Sequence, residues 1–450
     1  MTRAEWLQNV PDKLTRKIAE FTVSFKLEAA PKAVLENAKL AILDCLGVAA
    51  LATSQEIGAA LLRFARENSP PGPCTVWGTR TTTTPRDAAL LNGTLAHGLD
   101  YDDRNHSSTY TLATAIAAAE PLDLSGARVL GAFIVGREVR NALDGLFGKR
   151  SSGIGPGAKG WHSNGILGPI AAACTASNVL GLDVKQTVAA VGLAAGSCGA
   201  LTRDGGTMAK PFRAGHAAAT GLTCALLAKN GLSSDETALE SRYGLLEALG
   251  PLPKDILEGL GKDLGSKFHL ESDPRIKPYA SCTATHSGVE AMLRLVRRNP
   301  IDPQAVDAIE CDLKPYPLVR YRPERGFEGR FSMAFCLALA LINGRINPDD
   351  FVDERVNDPL VQEIMRRTRH TPEAPALVVI LKDGTRLEEK LAVASDLRGW
   401  NQVAKKFQRC LSAVAPDHLA DKTIDLVRQL ETVSSIRGLT AALKFGAAQG

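Results

Sequence analysis

The sequence has no Cys-x-x-Cys pair, no apolar run long enough to cross a bilayer, no marked excess of one charge and no internal repeat. Each absence removes a class of protein. The nine cysteines stand singly: Cys45, Cys74, Cys174, Cys198, Cys224, Cys282, Cys311, Cys336 and Cys410. An odd, unpaired set argues against a zinc ribbon and against a disulfide framework. Several fall in apolar helical stretches, where cysteine acts as a small hydrophobe, so a reducing compartment is expected. The 53 basic and 49 acidic residues leave a net charge of only +4, too little to imply a nucleic-acid partner. The longest uncharged run, Trp161 to Leu182, holds His162, Ser163, Asn164, Pro169 and Asn178. It reads as a buried helix, so no membrane partner is expected. The opening Met1-Thr2-Arg3-Ala4-Glu5-Trp6 lacks the apolar stretch of a secretory signal, which makes a cytoplasmic location the expectation.

What is present is an ordinary globular balance, 45% hydrophobic and 23% charged, over 450 residues. That length exceeds one ordinary core, so two domains are expected. The first half is helical in pattern. From Pro31 to Leu51, Val34, Ala38, Ile42, Cys45 and Val48 share one stripe. Ala59–Glu67, Pro85–His97, Ala127–Leu146, Gly165–Leu180, Lys185–Ala195 and Ala214–Lys229 read similarly. Alanine and glycine crowd these segments, which lets helices approach closely and suits a buried subunit interface. The pattern changes near Leu270. Ala305–Leu313 reads as a strand, and Ala376–Leu381 with Arg386–Val393 reads as a hairpin around Asp383-Gly384. Helices are expected at Cys282–Arg297 and Ser332–Ile342, and again through Gln402–Phe445. The fold class is therefore mainly α: a large all-helical domain (1–270 and 398–450) plus a smaller α+β domain (271–397).

Four stretches carry chemistry. His162 and Lys210 each lie beside glycines next to an apolar helix, a setting that suits proton transfer on an anion, or only a helix cap. Asp100-Tyr101-Asp102-Asp103, with His106, has the residues of a hard-cation site. Adjacent carboxylates diverge, however, so a single Asp that positions a substrate or orients a base is preferred, and no metal is expected. Arg104, Arg320, Arg322, Arg325 and Arg330 are candidate carboxylate forks, with a solvated surface as the plainer reading for Arg325. Ser281 and Cys282 open a helix, where Ser281 can cap and the thiol would be acidified, with His286 one turn on. A carboxylate resting on that helix start is the simpler use. Gly155-Pro156-Gly157-Ala158-Lys159-Gly160 spells a dinucleotide fingerprint. It follows no strand, and Pro156 removes an amide, so no nucleotide cofactor is expected.

Together these pieces resemble the MmgE/PrpD family. The matching residues are Leu43-Asp44-Cys45-Leu46-Gly47, Asn92 through Asp103, Gly160-Trp161-His162-Ser163, Met208-Ala209-Lys210-Pro211, Lys277 through Cys282 and Glu328-Gly329-Arg330-Phe331-Ser332. The resemblance implies a helical domain with an α+β lid, a homodimer, a cleft between the domains and no cofactor. It implies small polycarboxylate substrates, handled by dehydratases, decarboxylases or epimerases. It also implies Asp100, His162, Lys210 and Lys277 as active-site residues. The decarboxylase pattern has Thr, His and Tyr where this chain has Arg104, Tyr110 and Phe335, and Ser281-Cys282 is more like the epimerase branch. The expected activity is a hydro-lyase acting on a hydroxylated di- or tricarboxylate, with an epimerase or isomerase as the alternative and a silent binding protein as a third reading. The expected roles are His162 or Lys277 as base, Lys210 and Arg104 as clamps, Asp100 as orienter and Tyr110 as acid. His106, Ser281, Cys282 and Arg330 are expected to complete substrate binding.

Overall fold

Alanine and glycine on successive turns let helix axes come close, and the helices assemble around that property. The computed structural model describes residues 12–147, 155–250, 252–272, 274–313 and 320–446, so the opening Met1–Trp6 lies outside the described residues. The long helices of the first half are α1 (Leu14–Ser24), α2 (Lys32–Ala52), α3 (Glu56–Asn68), α4 (Pro85–His97), α5 (Ser107–Ala119) and α6 (Gly126–Ala142). They continue with α7 (Ser163–Leu180), α8 (Val184–Gly196) and α9 (Ala209–Lys229). Helix α7 is buried on nearly every side and packs against α6, α5, α8 and α9. Helix α9 also packs along α4, where Gly93 and Gly215 face each other. Pro85 sits in the first turn of α4 under a Thr84 cap, a position whose missing N–H costs nothing.

Two short strands, β1 (Cys74–Thr75) and β2 (Thr82–Thr83), pair antiparallel within this helical portion. The second half holds β3 (Val306–Cys311), β4 (Thr368–His370), β5 (Ala376–Leu381) and β6 (Arg386–Lys390) in the order β4-β3-β5-β6. Strands β3 and β4 run parallel, and the other pairs antiparallel. Gly384 turns the β5–β6 hairpin at a φ of 88°, open to glycine without strain. Helix α10 (His286–Arg298) covers β5 and β6, and α11 (Met333–Asn343) packs between α10 and α12 (Pro359–Arg367). The chain then returns as α13 (Gly399–Ser412), which lies on α2, and α14 (Asp417–Arg428). The protein is mainly α, and no helix among the described residues is long and apolar enough to cross a membrane.

Helix α10 begins at His286, not Cys282. A 3₁₀ turn at Thr283–Thr285 intervenes, and the Ser281 hydroxyl bonds Thr285 Oγ1 at 2.8 Å instead of capping α10.

Candidate active site

The loop from Gly98 to His106, between α4 and α5, places three carboxylates in three different settings. Its backbone is held in left-handed geometry at Asp100 (φ 50°) and His106 (φ 59°), which Asp and His tolerate better than most residues. Asp103 turns inward, where its carboxylate accepts from the Ser108 N–H and the Arg137 guanidinium, each at 3.0 Å. It fixes the start of α5. Asp102 accepts from two imidazoles: His97 Nδ1 at 3.0 Å and His106 Nδ1 at 2.9 Å. Asp100 faces two ammoniums. Lys210, in the first turn of α9, bonds its Oδ1, and Lys277 Nζ lies 3.2 Å from its Oδ2.

These neighbours set the charge states. Burial alone would raise the Asp100 carboxyl, but Lys210 and Lys277 outweigh it and hold the group well below the ordinary carboxylate range. Burial, helped by the lysines, pushes His106 down to about 3 despite the pull of Asp102. His106 is therefore neutral near pH 7. Its Nδ1 donates to Asp102, which leaves Nε2 as the bare nitrogen, 3.5 Å from Lys210 Nζ. His162 is arranged in the opposite sense. It caps α7 by accepting the Asn164 N–H on Nδ1 at 3.3 Å, so its proton resides on Nε2.

Asp100, Arg104, His106, His162, Lys210 and Cys282 line one cavity of about 310 Å³, with Arg140, Asn164 and Phe331. The other expected residues stand elsewhere. Lys277 is fully buried behind Asp100. Its ammonium is engaged by Asp100 O at 2.8 Å, Ser281 O at 3.4 Å and the Asp100 carboxylate, so it anchors the site from behind. Ser281 lies beside it, also buried. Tyr110 is buried in α5, off the cavity lining, and burial raises its phenol above the ordinary range. Arg330 does not reach this cavity. It donates to Leu99 O at 3.1 Å and so props the loop that carries Asp100. Arg104 lines the cavity, but its guanidinium is held by Asp396 and by Ala394 O. The Cys282 thiol is not acidified: burial, then the Asp100 charge, raises it. His286 turns its Nε2 to Ser281 O at 3.1 Å.

His97, Arg140 and Asn164 are among the polar residues of this region that the sequence does not single out. A signal existed for Arg140. Helix α6 is apolar on almost every face, so Arg137 and Arg140 have no solvent side to turn to. His97, Asp100, Asp102 and His106 also bring potential ligand atoms within 4.8 Å of one another. Asp102 is already spent on two imidazoles and Asp100 on two ammoniums, so a dication here would sit against the Lys210 charge. The donor set fits proton handling better than a metal.

Residues 16–254 match the MmgE/PrpD N-terminal domain and residues 279–432 the MmgE/PrpD C-terminal domain. The chain is similar to the cis-aconitate decarboxylase of Mus musculus, 28% identical over 96% of this chain and 93% of the relative. It is 26% identical to that of Aspergillus terreus strain NIH 2624, over 98% of each chain, and 26% identical to that of Homo sapiens, over 91% and 90%. Two imidazoles, one lysine and a buried aspartate around one cavity, with a second lysine behind the aspartate, in a chain matched by both domains in order, give the conclusion that this protein belongs to the MmgE/PrpD family, a family of lyase-type enzymes.

Proposed function

We propose that this protein is a hydro-lyase that removes water from a small hydroxylated di- or tricarboxylate by taking a proton from the carbon beside a carboxylate. The observation that carries this reading is the pair of imidazoles on one cavity with opposite tautomers. His106 offers a bare Nε2 and His162 an Nε2–H. In this scheme His106 takes the C–H proton. The electron pair left on carbon is stabilised as an enolate by the Lys210 ammonium. The C–O bond then breaks, and His162 protonates the departing hydroxyl so that it leaves as water. An incoming carboxylate raises the His106 basicity, because its negative charge offsets the lysines that depress it. Lys277 and Asp100 keep Lys210 in place.

Decarboxylation of an unsaturated tricarboxylate is the second reading, favoured by the names of the relatives. It uses the same enolate stabilisation but loses carbon dioxide in place of water. Incubation with candidate acids in heavy water separates the readings. Alkene absorbance without gas release supports dehydration, and carbon dioxide release supports decarboxylation. Deuterium uptake with neither identifies an epimerase, and binding with no exchange identifies a silent protein. In the active assay, His106→Gln and His162→Ala are each expected to lower kcat by about 10²-fold or more, the scale of lost general acid or base catalysis. Near-normal turnover in either variant removes that residue from the scheme.

A further inference from the structure

One wall of the cavity carries buried polar atoms that the chemistry above does not use. Arg140, near the end of α6, is only 3% exposed and lines the cavity. Its Nη1 lies 2.9 Å from Asp144 Oδ1, yet its Nε has no hydrogen-bond partner among the described residues. Asn164, in the first turn of α7, is 2% exposed and lines the same cavity. Neither Asn164 Oδ1 nor Asn164 Nδ2 has a partner among the described residues. A buried donor or acceptor left unmade costs about 1–3 kcal/mol, so three such atoms on one wall are expensive unless a ligand meets them. A structural asparagine in the core is paired, as Asn178 is with Thr22 O.

Resting on the lyase reading, we infer that Arg140 and Asn164 form a subsite for a second carboxylate of the substrate, the one that takes no part in the reaction. The Arg140 guanidinium and the Asn164 amide N–H both donate, and a planar carboxylate takes two such donors at once. Asn164 Oδ1 is an acceptor and so needs a donor from the ligand. A hydroxyl on the same arm supplies it, next to His162, the group that protonates a departing hydroxyl. A fully ionised phosphate has no such donor and would meet Oδ1 with like charge. The ligand class is thus a hydroxylated acid with a carboxylate at each end of the cavity, one toward Lys210 and one toward Arg140.

The test is binding, measured by calorimetry, so that it does not depend on turnover. The probes are propane-1,2,3-tricarboxylate, which has no hydroxyl to lose, and methylsuccinate, which lacks one terminal carboxylate. The parent protein is expected to bind the tricarboxylate at least about tenfold more tightly, the margin of one charge-assisted pair. Arg140→Gln should reduce that margin to about twofold or less, and Asn164→Ala should reduce it several-fold. Asn164→Ala should also melt no lower than the parent, because it deletes polar atoms that have no partner in the fold. If Arg140→Gln does not fold, Asn164→Asp decides: a carboxylate facing the ligand's own should abolish tricarboxylate binding. No margin in the parent, or a margin that survives in folded variants, overturns the subsite and leaves the lyase reading to its own assay. A variant that loses stability but keeps the margin overturns it too, because that is the mark of a structural residue.

Discussion

At the scale of single residues, the site depends on which nitrogen of each imidazole carries the proton. Asp102 decides this for His106, since a carboxylate can only accept. It also accepts from His97 Nδ1, whose ring lies 4.1 Å from that of His106. Asp102→Asn introduces an amide that must donate toward one of the two rings, which forces the wrong tautomer there. The expected result is a fall in kcat of about 10²- to 10⁴-fold with little change in KM, read in steady-state assays of a variant whose melting temperature confirms folding. An unchanged kcat would mean that the His106 tautomer is irrelevant to turnover. Part of this was legible in the sequence. Asp100, His106, His162 and Lys210 were named as candidates because unusual residue types stood beside glycines or in a run of acids. Asp102 and Asp103 were expected to diverge, and they do. His97 is the last residue of α4, and nothing in the local pattern marks it as part of a site. Its partner lies beyond the helix end, across a turn whose left-handed residue at Asp100 no periodicity reveals.

At the scale of elements, helix positions were the most legible feature, because alanine-rich stripes and capping residues are local. Pro85–His97 was read with the ends that α4 has. Helix α9 begins at Ala209, five residues before the Ala214 that the pattern gives, and Pro211 sits in its first turn, where its absent N–H is harmless. That error matters, because it left Lys210 outside the helix that aims it. Helix α5 was missed. Its start, Ser107-Ser108-Thr109-Tyr110-Thr111, has poor helix formers, and Asp103, not a periodic stripe, fixes its first turn. Strand β4 has three residues and pairs in parallel with β3, which no local turn signals. The crossing of α4 and α9 gives a sharp expectation. A Cβ on Gly93 would lie 2.9 Å from Gly215 Cα, and one on Gly215 would overlap Leu90 O and Thr94 Oγ1. Gly215→Ala must therefore push two buried helices apart and should cost about 1–3 kcal/mol, measured by denaturant unfolding. Because α9 carries Lys210, kcat should fall as well. A variant as stable as the parent would show that the crossing has slack.

At the scale of the whole molecule, segments far apart in sequence are tied by one buried charge. Lys406 of α13 bonds Asp44 of α2 at 2.6 Å, Tyr101 O at 2.5 Å and Lys277 O at 3.0 Å, with its ammonium 3.7 Å from the centre of the Tyr101 ring. Both carbonyls belong to neighbours of the site: Tyr101 follows Asp100, and Lys277 pairs with it. No local pattern announces such a tie, since its four parts come from the start, middle and end of the chain. Burial drives Asp44 up to about 6 even with the lysine attached. Lys406→Met leaves that carboxyl buried without a partner, and the expected loss is about 3–5 kcal/mol at neutral pH. The sign with pH follows from the raised value. A carboxyl whose folded value exceeds its unfolded value favours folding below the unfolded value, and that favour is lost as pH rises through the folded one. The deficit of Lys406→Met should therefore be smaller at pH 4.5 than at pH 7, with each protein compared to its parent at the same pH. Adding Asp44→Asn removes the stranded charge and should recover much of the stability at pH 7. It cannot recover the two carbonyl bonds, so kcat should stay low in the folded double variant. If the double variant regained full turnover along with its stability, Lys406 would be only a partner for Asp44, and the bonds to Tyr101 and Lys277 would have no part in holding the site.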